Sequence, residues 1–141
     1  MTPFRFTSIW AKIALYAVSM MVAIFWVNHA TPPIEFVFDI NYGRSSVIDP
    51  LRMFLVVCVL VPLVEEIMFR LPLLFFFEKP KWLFVALIIS STIFGYLHGG
   101  IHGVFLQGVI GLIAGYNYIK SGFFWAWLIH CSYNFYVVFL I

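Results

Sequence analysis

Five apolar runs occupy most of the chain, at about 9–27, 51–77, 82–98, 101–119 and 123–141. A helix of about 20 apolar residues crosses a hydrocarbon core about 30 Å thick. Each run is close to that length, and what lies between them is too short for a separate soluble domain. Only 10% of the residues are charged and 64% are hydrophobic, whereas a soluble domain carries about 25% charged residues. A soluble globular protein is therefore excluded, and 21% aromatic residues exclude disorder. The expected fold class is all-α, a polytopic transmembrane helical bundle of about five spans.

The runs predict two parts: a leading transmembrane helix and loop over 1–50, and a four-helix transmembrane core over 51–141. Pro50 suits the first turn of the second span. Pro62 and Pro72 inside that long run predict kinks or a break. Gly99-Gly100 argues against one helix continuing from His98 to His102. The leading run follows Arg5 and Lys12 and has the outline of a signal peptide. Asn28-His29-Ala30 is a poor cleavage site, so a retained span is expected. The loop over 28–49 alternates Ile34, Phe36, Phe38 and Ile40 with Glu35, Val37 and Asp39. A period of two suits a short strand-like or surface-lying segment, either a lid over a site or, the plainer reading, an interfacial anchor.

Arg5, Lys12, Lys79, Lys81 and Lys120 fall on one side of a five-span arrangement, and Arg44 and Arg52 on the other. That bias predicts a cytoplasmic N-terminus and a C-terminus across the membrane. A net charge of +2 gives no reason to expect a nucleic-acid partner. Cys58 and Cys131 form neither a disulfide framework nor a zinc spacing. Eight of the nine glycines lie between Gly95 and Gly122. Gly111-x-x-x-Gly115 is a small-x-x-x-small pattern that lets backbones approach closely. It fits tight packing within one chain, the plainer expectation, or a homo-oligomer seam.

The informative residues are those a bilayer resists. Ionisable groups in hydrocarbon are costly and face a bundle interior or a wet cavity. Val64-Glu65-Glu66-Ile67-Met68-Phe69-Arg70 lies in the middle of the second run, with Glu65 about 20 Å from either end. Glu66 and Arg70 are four apart, share a helix face and can pair. Glu65 points about 100° away from Glu66 and has no such built-in partner. The third run ends Phe94-Gly95-Tyr96-Leu97-His98. The fifth carries His130-Cys131-Ser132-Tyr133-Asn134, whose His130 and Asn134 project together. Taken singly, these are a structural ion pair, an interfacial histidine and interhelical hydrogen bonding.

Taken together, Glu65, His98, His130 and Asn134 come from three spans, and bundles build sites from inward side chains of neighbouring helices. A carboxylate base beside imidazole and amide donors suits hydrolysis of an acyl bond by activated water. Counted from the helix ends, His98 lies higher than Glu65 and His130 lower, so tilt or kinks must close the gap. No zinc helix of the His-Glu-x-x-His kind and no Gly-x-Ser-x-Gly elbow is present. Cys131 does not face His130, so a cysteine nucleophile is not expected. Glu65, His98 and His130 as ligands of a metal with an open position stay open as a second chemistry, and a non-catalytic membrane protein, such as a bacteriocin-immunity or partner-binding protein, as a third reading.

Glu65-Glu66-Ile67-Met68-Phe69-Arg70, Phe94-x-x-x-His98 and His130-x-x-x-Asn134, in this order on successive apolar runs, resemble the motifs of the CAAX-processing and bacteriocin-processing (CPBP, Rce1-like) intramembrane proteases. The resemblance covers about residues 60–141. It implies a glutamate-type intramembrane endopeptidase without a cofactor or metal, multi-pass in the membrane, with the bacterial inner membrane as its expected place. By the resemblance Glu65 is the general base, His98 positions the water, and His130 and Asn134 stabilise the oxyanion. Glu66 and Arg70 support the site. The implied partners are the lipid bilayer and a membrane-associated peptide or protein substrate.

Overall fold

The computed structural model describes residues 6–29 and 50–140, and every regular element among them is helical. The fold is an all-α bundle. It runs α1 (Ile9–His29), α2 (Pro50–Met53), a π-helical stretch (Phe54–Leu60), α3 (Val61–Arg70), a 3-10 stretch (Leu71–Phe76), α4 (Pro80–Leu97), α5 (Gly100–Ser121) and α6 (Phe123–Phe139). The loop expected to be strand-like or surface-lying falls outside the described residues.

The second apolar run is one rod whose helical register changes twice, each time beside a proline. Pro62 has no N–H for the carbonyl four residues back. Just before it the helix is wound wider, and the Val61 N–H bonds the Val56 carbonyl five residues back. Pro72 likewise cannot donate, and the rod tightens to 3-10 from Leu71. Ser90 of α4 donates its hydroxyl to the Phe69 carbonyl at 2.8 Å, satisfying an acceptor next to that change. The expected kinks thus take the form of changed register, with consequences for the site.

α4 and α5 are a glycine-mated pair. A Cβ on Gly95 would lie 2.6 Å from the Gly103 carbonyl oxygen and 2.7 Å from the Gly108 nitrogen, so the two backbones are in contact. The turn between them passes through Gly100 at φ +60°, which glycine adopts without cost. His98 and His102 therefore sit on different helices. Gly111 packs on Phe94 and Ser91, and Gly115 on Leu87 and the Arg70 guanidinium, so both are used inside the chain.

α1 lies on α5 and α6 and is held by polar pairs along its length. Tyr16 and Ser132 share a hydrogen bond at 2.7 Å, Asn117 donates to Ser19 at 2.7 Å, and Trp26 donates to the Phe105 carbonyl at 3.0 Å. Asn28 meets Tyr136 at 2.9 Å. At the other end the Phe6 N–H bonds the Lys120 carbonyl at 2.7 Å. One apolar cluster, including Leu73, Phe77, Leu87 and Tyr118, fills the lysine-bearing end. A second, including Ala23, Val27, Ile110 and Tyr133, binds α1 to α5 and α6. The outer surface stays apolar, with Trp10, Phe25, Phe75, Trp82, Phe84 and Phe105 exposed. α1 and α4 are long and apolar enough to cross a membrane.

Candidate active site

The polar residues singled out in the sequence meet where α3, α4 and α6 face one another. Glu66 and Arg70 lie on the inner face of α3, one turn apart. Arg70 donates through Nε to Glu66 Oε2 at 2.8 Å and through Nη2 to Oε1 at 3.2 Å. Nη2 also reaches the Gly111 carbonyl of α5 at 3.0 Å. The pair is almost fully buried, at 1% and 0% side-chain exposure. Such a pair must be well hydrogen-bonded to repay the loss of hydration, and the Gly111 carbonyl supplies one of those bonds. Gly115 lies beside this pair: a Cβ there would press on the Leu87 side chain and stand in ordinary contact, 3.4 Å, with Arg70 Nη1.

Glu65 is turned the other way and has a different setting. Its Oε1 lies 3.1 Å from Nε2 of His98, and its Oε2 lies 3.4 Å from Nε2 of His130. Glu65 and His98 keep 18% and 33% side-chain exposure. One carboxylate is therefore dry and locked, and its sequence neighbour is reachable.

Both histidines are oriented by what their other nitrogen touches. His98 caps α4 and folds back, donating from Nδ1 to the Phe94 carbonyl at 2.7 Å with its ring 4.3 Å from that of Phe94. This brings Nε2 down toward Glu65. His130 lies 3.0 Å through Nδ1 from Glu66 Oε1. The Phe94 ring also meets His130 edge-on at 5.4 Å and Phe69 at 5.2 Å, so one aromatic side chain fixes the spacing of the two imidazoles.

The gap in depth between Glu65 and His98 noted in the sequence is closed in two ways. A 3-10 residue rises about 0.5 Å more than an α residue, so the stretch Leu71–Phe76 lifts Glu65 about 3 Å toward His98. The fold-back of His98 supplies the rest.

Asn134 lies one turn beyond His130 on α6, and its Nδ2 donates to the Val57 carbonyl at 2.9 Å. Trp127 donates to the Val59 carbonyl at 3.1 Å. Both acceptors belong to the π-helical stretch, so α6 side chains hold that irregular segment against the site. The structure thus joins Glu65, Glu66, Arg70, His98 and His130 in one network and sets Asn134 at its edge, bonded to backbone. Sequence reasoning missed the π-helical carbonyls and the Gly111 carbonyl. Pro62 was the available signal for the first, because a proline leaves the preceding turn short of a donor. Among the described residues, no group of three His, Cys, Asp or Glu side chains is arranged to hold a metal ion.

A family model described as type II CAAX prenyl endopeptidase Rce1-like matches residues 47–136. No curated protein and no solved structure matches the chain. The matched stretch carries every residue of the polar network.

Proposed function

The chain belongs to the Rce1-like family of type II CAAX prenyl endopeptidases, a membrane-embedded protease family, and on that premise we propose that it is a glutamate-type intramembrane endopeptidase. Its substrate is a membrane-associated peptide or protein, and its place is a multi-pass bundle in the bacterial inner membrane. The observation that carries this reading is the setting of Glu65: a partly exposed carboxylate between Nε2 of His98 and Nε2 of His130. A polar cluster kept only for packing should be dry with each group paired. Glu66 and Arg70 are dry, with Arg70 Nη1 left without a hydrogen-bond partner, whereas Glu65 and His98 pair with each other and keep 18% and 33% exposure.

In the proposed reaction Glu65 takes a proton from water as the oxygen attacks the scissile carbonyl. His98, held by the Phe94 carbonyl, fixes Oε1 and aligns the attack. Asn134 keeps a second amide N–H beyond the one used by Val57, and with His130 it forms the donor side for the developing oxyanion. Preorganised donors of this kind are worth about 100- to 1,000-fold each in rate. Glu66 and Arg70 hold α3, α5 and α6 in register. The test compares the termini of membrane proteins in cells carrying the wild type or the Glu65→Ala protein. New termini that vanish with the variant support proteolysis, and identical termini in both strains contradict it.

A further inference from the structure

The orientation of His130 carries a step beyond oxyanion binding. Glu66 already accepts two hydrogen bonds from Arg70, so it is an anion with only acceptors to offer. Nδ1 of His130, 3.0 Å from Glu66 Oε1, must then carry a hydrogen. In the neutral ring the other nitrogen, Nε2, is therefore a bare lone pair. That lone pair faces Glu65 Oε2 at 3.4 Å. A neutral His130 held this way has no N–H to give an oxyanion. It gains one only by taking a proton, and the group placed to supply it is Glu65. His98 likewise carries a hydrogen on Nδ1, given to the Phe94 carbonyl, so its hydrogen bond from Nε2 to Glu65 Oε1 takes a second ring proton; as an imidazolium it holds Oε1 and leaves Oε2 as the oxygen free to act as base.

We propose that His130 is the proton carrier of the reaction, receiving on Nε2 the proton that Glu65 Oε2 takes from water and delivering it to the leaving amine, with Glu66 as the residue that fixes its tautomer. This rests on the proteolytic reading above. The balance is complete. The water O–H bond breaks, its oxygen bonds the scissile carbon, and its proton moves to Oε2. Closing 3.4 Å to the usual reach of about 2.6–3.2 Å passes that proton to Nε2. The imidazolium then lies between two carboxylates, stabilises the tetrahedral oxyanion and protonates the amine nitrogen as the C–N bond breaks. Glu65 and neutral His130 return to their starting states. Gly111, Arg70, Glu66, His130, Glu65, His98 and Phe94 thus form one chain of polar contacts anchored at each end on a backbone carbonyl.

The test has two arms on the full chain in lipid vesicles. In the first, nitrogen NMR of ring-labelled histidine, assigned by difference with His130→Gln, reads the tautomer without a substrate. Neutral His130 is expected with Nδ1 protonated and Nε2 bare, and Glu66→Gln is expected to reverse or mix this, because the new amide can turn its NH2 toward Nδ1. A wild-type ring protonated only on Nε2 overturns the proposal. In the second, two S-farnesyl-cysteine peptides are cleaved, identical except that the scissile bond is an amide in one and an ester in the other. Glutamine at 130 keeps an N–H donor but carries no proton, so His130→Gln is expected to lose about 100- to 10,000-fold on the amide and at least tenfold less on the ester, whose leaving group needs no acid. Equal losses on both, or amide cleavage within tenfold of wild type, overturn the carrier role while leaving the protease reading intact. Wild-type rates in Glu65→Gln protein overturn the protease reading itself, and the first arm still decides the tautomer.

Discussion

Glu65 and Glu66 are consecutive residues that share one histidine: Nδ1 of His130 lies 3.0 Å from Glu66 and Nε2 lies 3.4 Å from Glu65. Glu66 is pinned by Arg70, and Glu65 is left with 18% exposure. Because the two side chains leave the helix about 100° apart, one α-helical turn supplies both a fixed anion and a reachable carboxylate, and the imidazole spans the angle between them.

That division predicts the effect of Glu65→Gln. The amide keeps the shape but loses the basic oxygen. Cleavage should fall by about 100- to 10,000-fold, the contribution of general-base catalysis. Thermal unfolding should be unchanged or slightly raised, since an amide is cheaper to bury than a carboxylate. Peptide cleavage and unfolding measured on one purified preparation check both.

Arg70→Ala should behave in the opposite order. It removes the partner of a carboxylate with 1% exposure and frees the Gly111 carbonyl. Breaking one side of a buried pair costs about 3–5 kcal/mol. The unfolding midpoint should drop clearly, and residual activity should track the folded fraction. A variant as stable as wild type would show that Glu66 is anchored by His130 alone.

Gly95→Ala tests the platform under His98. The added methyl would press on the Gly103 carbonyl oxygen and the Gly108 nitrogen, at 2.6 and 2.7 Å, and neither is a side chain that can swing aside. Overpacking of this kind costs about 1–3 kcal/mol. The helices should part, moving Phe94 and His98 away from Glu65, so activity should fall at temperatures where the protein is still folded. Gly100→Ala meets no atom within 4 Å, but it sits at φ +60°. It should cost stability through backbone strain alone.

Much of this was legible in the chain. Helix positions followed from the apolar runs within two or three residues, because a bilayer length leaves few alternatives. The Glu66–Arg70 pair followed from a spacing of four. The His98–Glu65 contact did not, because it depends on two departures from ideal helix geometry. One is the extra rise of the 3-10 stretch. The other is the fold-back of His98 at a helix end. For the hold of Asn134 and Trp127 on the π-helical carbonyls, Pro62 marks the disturbed turn, but ideal geometry does not show that the acceptors would be Val57 and Val59. What the apolar pattern fixes is where helices run; where their polar groups meet is decided at prolines and ends.

The metal alternative has its own outcome. If water is activated by Glu65 alone, incubation with a strong chelator should leave cleavage within twofold of the untreated protein. Loss of activity that added zinc restores would instead make Glu65, His98 and His130 ligands.

The last prediction concerns how the bundle sits in the membrane. Phe6 meets Lys120 at the start of α1, while Asn28 at its far end meets Tyr136 near the end of α6. The start of α1 and the end of α6 therefore lie at opposite ends of the bundle. Lys79 precedes α4, and Phe77 packs on Tyr118, so Lys79, Lys81 and Lys120 gather at the end where α1 begins. Lysine and arginine stay on the cytoplasmic side, which orients that end inward. The site lies farther along, because His98 stands at the opposite end of α4, about 27 Å from its start at 1.5 Å per residue. A reporter fused before residue 6 should then read as cytoplasmic, and one fused after residue 140 as external. A single-cysteine label at Leu97, in a background free of Cys58 and Cys131, should react with a membrane-impermeant thiol reagent added from outside. Reporters that agree with each other would mean that α1 or α6 fails to cross. Reporters that both switch sides would keep the bundle and reverse it, placing the His98 end toward the cytoplasm.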